Sequence, residues 1–229
     1  MPATANGSTN GSKNRIADAL AQPTTGKSLS IRPIRRCKIS VSVKSTTPLI
    51  MHKWSEKAKL MMRNKQQKGT KTKTREIRKP EQEAEEATYV NDQGEVGIPA
   101  LAFKASLIGA AHKDLGIERT LVRKSLFLQC SDRNQVIAFT EAAEPVVRED
   151  MVRVGAGSSD LRYRPEFAWW KAEVSFEIDA ELLQPSDVTS LIERAGFGIG
   201  ICEWRPEKGG EFGRYELDRD IPLHVEELT

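Results

Sequence analysis

Hydrophobic and polar residues alternate regularly in two stretches of this 229-residue chain. In RRCKISVSVKS, Cys37, Ile39, Val41 and Val43 take every second position; in FAWWKAEVSFEID, Trp170, Ala172, Val174, Phe176 and Ile178 do the same. A period of two puts such side chains on one face of a half-buried strand. Neighbouring positions then face opposite ways, so of Trp169 and Trp170 one is expected in the core and the other on the insertion beside it. GIPALAFKASLIGAAHKDLG follows another rule. Leu101, Ala105, Leu107, Ile108 and Ala111 form a helical stripe, with Pro99 at the first turn and Gly116 as the stop. PSDVTSLIERAG predicts a second helix, capped by Ser186, ended by Gly196, with Val188, Leu191 and Ile192 inward. TLVRKSLFLQ reads as a short helix or strand, QVIAFTEAAEPVVREDMVRV as two extended runs, and FGRYELD as a final strand.

In chain order the elements spell βαββαβ. The predicted class is therefore α+β, a ferredoxin-like or RRM-like core in which two helices cover one face of a four-stranded antiparallel sheet. Two insertions interrupt it. Residues 44–98 follow the first strand and hold a turn around Pro48, a basic helix SEKAKLMMRNKQQ with Ser55 as its cap, a mobile GTKTKT run, a short acidic helix KPEQEAEEA and the turn NDQGE. Met51, Met61 and Met62 are expected to pack the basic helix. Residues 148–167 form a hairpin between the second and third strands, with GAGSS at its tip. Residues 1–33, rich in Gly, Ser, Thr and Asn and without the pattern of a secretory signal, read as a disordered arm before a single domain spanning 34–229.

Composition narrows the function. With 38% hydrophobic and 29% charged residues, the chain has enough apolar content for a core. Its longest apolar run is broken by Lys104, well short of the roughly 18 residues a membrane helix needs, so no membrane partner is expected. Cys37, Cys130 and Cys202 lack CxxC spacing and cannot all pair, which fits a reducing cytoplasm and a chain without zinc. Net charge is +3, yet residues 53–79 alone carry eleven Lys or Arg against two Glu, or +9, leaving −6 for the rest. A concentrated positive run attracts polyanions with salt-dependent affinity. Glu81, Glu83, Glu85 and Glu86 follow it and neutralise part of it. Lys53, Lys57 and Arg63 in this run and Lys104 on the core helix are candidate contacts. The hairpin adds Arg148, Arg153, Arg162 and Arg164 around Tyr163, the mixture of guanidinium and aromatic groups that grips phosphates and stacks bases.

Enzyme signatures are lacking: the chain has no GxxxxGK[ST], HExxH or GxSxG motif. Glu149 and Asp150 are adjacent on a strand and point apart, which disfavours a two-carboxylate metal site, and Asp160 is assigned to the hairpin turn. No cofactor or metal is expected.

The C-terminal stretch ERAGFGIGICEWRPEKGGEFGRYEL resembles the glycine-rich loop after the second helix in the RAMP superfamily, the ferredoxin-like RNA-binding proteins of CRISPR systems. The two insertions are similar to the finger and thumb of the CRISPR backbone subunit. LIMHKW, IPALAFKASL, REDMVRVG, DLRYRPEF and EWRPEKGG also resemble a group of bacteriophage and prophage proteins, over residues 35–217. This resemblance implies a crescent-shaped protein that polymerises along single-stranded DNA or RNA as a homo-oligomer in the host cytoplasm, the thumb reaching a neighbouring copy, with phage or host nucleoproteins as further partners. It gives the glycine cluster a role: Gly196, Gly198 and Gly200 would let backbone N–H groups approach phosphates, Arg205, Lys208 and Arg214 would supply charge, and Trp204 would stack a base. Some relatives are metal-independent endoribonucleases that use histidine, which makes His52 the candidate acid or base of an alternative reading. A further alternative is an interaction protein that inserts into, or mimics, a host CRISPR complex.

Overall fold

The two alternating stretches meet. In the computed structural model, which describes residues 33–68, 77–154 and 157–228, β1 (Arg36–Ser45) and β8 (Trp170–Asp179) pair antiparallel from Arg36↔Asp179 to Lys44↔Lys171. Cys37, Ile39, Val41 and Val43 share a buried face with Trp170, Ala172, Val174, Phe176 and Ile178. The outer side of β1 is taken by β10 (His224–Leu228) along Arg36–Ser40 and by β9 (Tyr215–Leu217) along Val43–Ser45. On the other side of β8 lie β4 (Leu126–Gln129) and β5 (Val136–Ala142), the latter with a bulge between Phe139 and Glu141, and β3 (Gly97–Pro99) extends the sheet from β5. All these pairings are antiparallel, so the fold is mixed α/β with antiparallel sheets.

Two helices cover the apolar face. In α3 (Ala100–Leu115), Gly116 at φ 67 closes the C-terminus by donating its N–H to Ala111 O. The buried side is Ala100, Phe103, Leu107, Ala110 and Ala111, whereas Leu101, 71% exposed, and Ala105 face outward. Phe103 sets the rotation of this helix, since its ring meets Trp170 and Tyr215 edge-on at 6.4 and 5.6 Å. A short α4 (Arg119–Ser125) runs directly into β4, so TLVRKSLFLQ is helix and strand in turn. In α5 (Pro185–Arg194), Val188, Leu191 and Ile192 are buried as predicted. The cap differs: Gln184 and Asp187 form a reciprocal capping box, and Ser186 lies within the helix. Gly196 does not end it either, because the chain unwinds into a wider π turn over Ala195–Ile199 before Gly200 breaks away at φ 71.

The opposite face of the central strands is polar. Ser40 and Ser175 share a hydrogen bond of 2.7 Å, and Lys44 and Lys171 both pair with Asp218. Lys38, Ser42, Glu173 and Glu177 complete it, so β1 and β8 put no aromatic ring there. The RRM manner of stacking bases on sheet aromatics therefore has no counterpart on these strands.

A second, three-stranded sheet carries the insertions. The β6 (Val146–Val154) and β7 (Ser158–Phe167) hairpin pairs from Val146↔Glu166 to Val154↔Ser158, and β7 continues onto β2 (Leu49–Ile50). Asp160 faces Val152 within this ladder and forms an ion pair with Arg78 at 2.9 Å rather than shaping the turn. Between β2 and β3 run α1 (Glu56–Lys68) and α2 (Pro80–Glu86), with Ala84 and Ala87 buried. Met51 is buried but Met61 and Met62 are exposed, and Trp169 stands 47% exposed rather than packed. The N-terminal arm and GTKTKT lie outside the described residues. No helix among the described residues is long and apolar enough to cross a membrane.

Candidate nucleic-acid interface

The glycine-rich stretch folds as a tight double-back docked on the start of the first insertion. Ile201 N–H bonds Gly213 O at 2.9 Å and Phe212 N–H bonds Trp204 O at 3.0 Å, closing the loop on itself. Glu203 N–H then reaches Ile50 O at 3.1 Å and Gly213 N–H reaches Pro48 O at 2.8 Å, which fixes the loop beside β2. Cys202 at φ 61 and Trp204 at φ 53 are left-handed without being glycine. Such conformations cost about 1 kcal/mol or more each and concentrate at functional surfaces. Burial pushes the Cys202 thiol up to about 12, so it stays protonated.

His52 leaves β2 directly beneath this loop. Its Nδ1 is 3.4 Å from Arg162 Nη1 and 3.9 Å from the Glu203 carboxylate, and Tyr89 donates its hydroxyl hydrogen to the His52 carbonyl at 3.4 Å. Because a guanidinium only donates, Nδ1 is the accepting, unprotonated nitrogen. Burial lowers the His52 pKa, the Arg162 cation lowers it further, and Glu203 opposes both. The imidazole is thus neutral at pH 7. Its pKa lies below the usual 6.5 in the folded chain, so His52 contributes no penalty well above pH 6.5, where both states are neutral. As pH falls through 6.5 and then through the folded value, the unfolded state takes up the proton first and stability declines. Urea midpoints measured between pH 7.5 and about 5 are expected to fall less steeply for His52→Gln than for the parent chain.

The hairpin arginines divide sharply. Arg164 is 1% exposed and is bound by Asp150 at 2.5 Å and Glu203 at 3.4 Å. Arg148 lies between Asp150 and Glu166, at 2.9 and 2.7 Å, with its guanidinium 4.9 Å from the Phe212 ring centroid. Both are engaged by carboxylates, and Arg164, buried as well, has no surface to offer a phosphate. Arg162 remains half-buried at the surface beside His52, and Arg153 is exposed toward the hairpin tip. Tyr163 lies under Arg78, 5.4 Å from guanidinium to ring, and Arg78 in turn holds Glu83 and Asp160.

Two clefts open around these groups. The larger, about 940 Å³, lies between α1, α2 and β7 and is lined by Lys53, Trp54, Met61, Arg78, Arg162 and Tyr163 among others. The smaller, about 470 Å³, lies between the glycine-rich loop and α3, with Ser106, Ile199, Gly200, Arg205 and Lys208 on its walls. His52 and Glu203 line both, so the two meet over the imidazole.

Of the residues singled out from sequence, the clefts gather Lys53, Arg162, Tyr163, Gly200, Arg205 and Lys208. Arg205 is largely spent on Glu207 and the Cys202 carbonyl. Trp204 is exposed on the loop but lines neither cleft, and Arg63 is exposed on α1. Lys57 is on α1, its side chain outside the described residues. Lys104 is held at the Arg123 carbonyl, 3.3 Å, and over the Phe127 ring; burial, then the Arg123 charge, lowers its pKa. Arg214 packs over Phe197 at 4.6 Å. Gly196 and Gly200 are buried, so their freedom serves packing rather than an approaching phosphate; Gly198 is exposed. Sequence reasoning gave no role to Trp54, Arg78, Lys79 or Glu203. A tryptophan inside the basic run was the one available signal, since Glu203 depends on a contact 151 residues from His52 along the chain. Among the described residues no group of His, Cys, Asp or Glu is placed to hold a metal ion. Neither a protein-family model nor a curated protein matches the chain.

Proposed function

We propose that this protein is a non-enzymatic binder of single-stranded nucleic acid, with the strand crossing His52 along the two joined clefts. The observation that carries the reading is the convergence on one imidazole of three separate segments: the basic insertion, the arginine hairpin and the glycine-rich loop. Lys53, Arg78 and Lys79 from the basic run line the larger cleft, and Lys208 lines the smaller. A ferredoxin-like core is supported by the pairing order β9/β10, β1, β8, β4/β5, with α3 between β1 and β4 in the chain and α5 between β8 and β9. Assembly of copies along the strand is supported by the hairpin, whose outer strand β6 ends its sheet with Val146, Val147 and Met151 exposed. A phage-encoded role in replication or recombination follows from the resemblance to phage proteins.

The test is fluorescence anisotropy with labelled single-stranded DNA and RNA over a salt series. Affinity is expected to fall steeply as salt rises, and the combined charge reversal Lys57→Glu, Arg63→Glu and Lys208→Glu is expected to flatten that slope and weaken binding at least about tenfold. Retention of neither strand at low salt would refute the reading. A second reading, metal-independent RNA cleavage, is favoured by the neutral His52 imidazole between a cation and a carboxylate. The same mixtures, run on a denaturing gel, separate the two: intact RNA supports the binder, whereas cleavage lost in His52→Ala supports the nuclease.

A further inference from the structure

Resting on the binding role proposed above, we infer that the larger cleft receives an unstacked nucleobase while the phosphates remain outside it, along α1. The charge inside the cleft argues against a phosphate there. Lys53, Arg78, Lys79 and Arg162 face Glu83, Glu86, Asp160 and Glu203 on the same walls, so the lining carries no net charge. Arg78 is doubly committed, to Glu83 and Asp160, and these bonds raise its pKa further. A phosphodiester entering this space would meet four carboxylates and gain little.

The same walls suit a base. Trp54, 51% exposed, opens into the cleft with the exposed Met61, Met62 and Ile77, and Tyr163 closes the hairpin side. An indole and two thioethers with no core to fill provide a flat, polarisable surface for a heteroaromatic ring. Carboxylate acceptors and the Gln82 amide, which donates to Glu86 at 3.2 Å, line the same cleft and offer a base edge both acceptors and donors. The positive charge that a polyanion needs lies next door by sequence: α1 carries Lys57, Lys59, Arg63, Lys65 and Lys68 against Glu56. Neutral, apolar-floored space beside a basic helix matches a strand that is gripped by its backbone and stacks its bases, the general solution for binding with little sequence preference.

The full chain is tested against two labelled strands of equal length, one oligothymidine and one of abasic phosphodiester units, at low salt. Oligothymidine is expected to bind at least about tenfold more tightly. Trp54→Ala should remove most of that difference and leave the abasic strand unaffected, while Trp54→Phe should keep much of it. Trp54 is half-exposed, so unfolding is not expected, and circular dichroism checks that each variant is folded. Equal weakening of both strands by Trp54→Ala would make the cleft a backbone site and overturn the inference; no change in either would do the same and leave the cleft to a peptide segment. If the parent chain binds neither strand, the binding role itself falls and the base recess with it. If it binds the abasic strand as well as oligothymidine, the role stands and only the recess falls.

Discussion

Arg164→Ala is expected to destabilise the protein by about 3 kcal/mol without removing a nucleic-acid contact. Arg164 is almost wholly inaccessible, and its guanidinium neutralises Asp150, which is itself 9% exposed. Removing one partner of a buried ion pair costs about 3–5 kcal/mol because the other charge is stranded in a poorly solvating interior. The lower end applies here, since Arg148 still holds Asp150 and Glu203 has access to water. Arg162→Ala should behave in the opposite way. It loses a long contact to a neutral imidazole, so stability changes by less than about 1 kcal/mol, while affinity for a single strand drops several-fold. Urea denaturation and anisotropy on the two variants check this. A stable Arg164→Ala with weakened binding would mean that Arg164 faces the ligand and that the buried pair is wrong.

Gly196→Ala should cost about 3 kcal/mol or more. A Cβ at this position would sit 1.8 Å from Tyr215 O and 2.7 Å from Tyr215 C. The obstacle is backbone rather than the tip of a flexible side chain, so β9 would have to separate from the π turn after α5, and overpacking of that kind lies at or beyond the usual 1–3 kcal/mol. Tyr215 also anchors the aromatic cluster with Phe103 and Trp170 and donates to Ser106 at 3.1 Å, so displacement would spread into the core. Gly198→Ala meets its nearest atom at 3.8 Å, at Asp114 Oδ2, and no positive φ opposes it. It should be neutral or slightly stabilising, by up to about 1 kcal/mol, through the narrower unfolded ensemble. Thermal melts of the two variants measure the contrast; equal tolerance at both positions would contradict the close approach of β9.

What was legible in the sequence depended on how local the cause was. β1 and β8 could be read because a strand with one buried face writes its own alternation. The stripe on α3 could not be placed correctly, since Leu101, Phe103, Leu107 and Ile108 put apolar groups around much of the helix, and the choice was made by Trp170 and Tyr215 from distant strands. β10 went unread because its burial is slight and its sequence, HVEEL, has no alternating apolar face; pairing with β1 alone makes it a strand. The arginines show the largest gap. Arg148, Arg162 and Arg164 look equivalent on a hairpin, but strand geometry and the arrival of Glu203 on the glycine-rich loop bury one, occupy another and leave the third beside His52. The glycines, in turn, were read as room for a ligand, whereas at Gly196 the space is filled by the chain itself.

The central claim, that a single strand crosses His52 between the basic insertion and the glycine-rich loop, is tested most directly by photo-crosslinking with a 4-thiouridine or 5-bromouracil oligonucleotide and mapping the modified peptides by mass spectrometry. Adducts are expected on the segment containing His52 and Trp54, on that containing Arg162 and Tyr163, and on that containing Glu203 and Lys208. Adducts confined to the polar sheet face around Ser40 and Ser175, or to the β10 edge, would contradict the account.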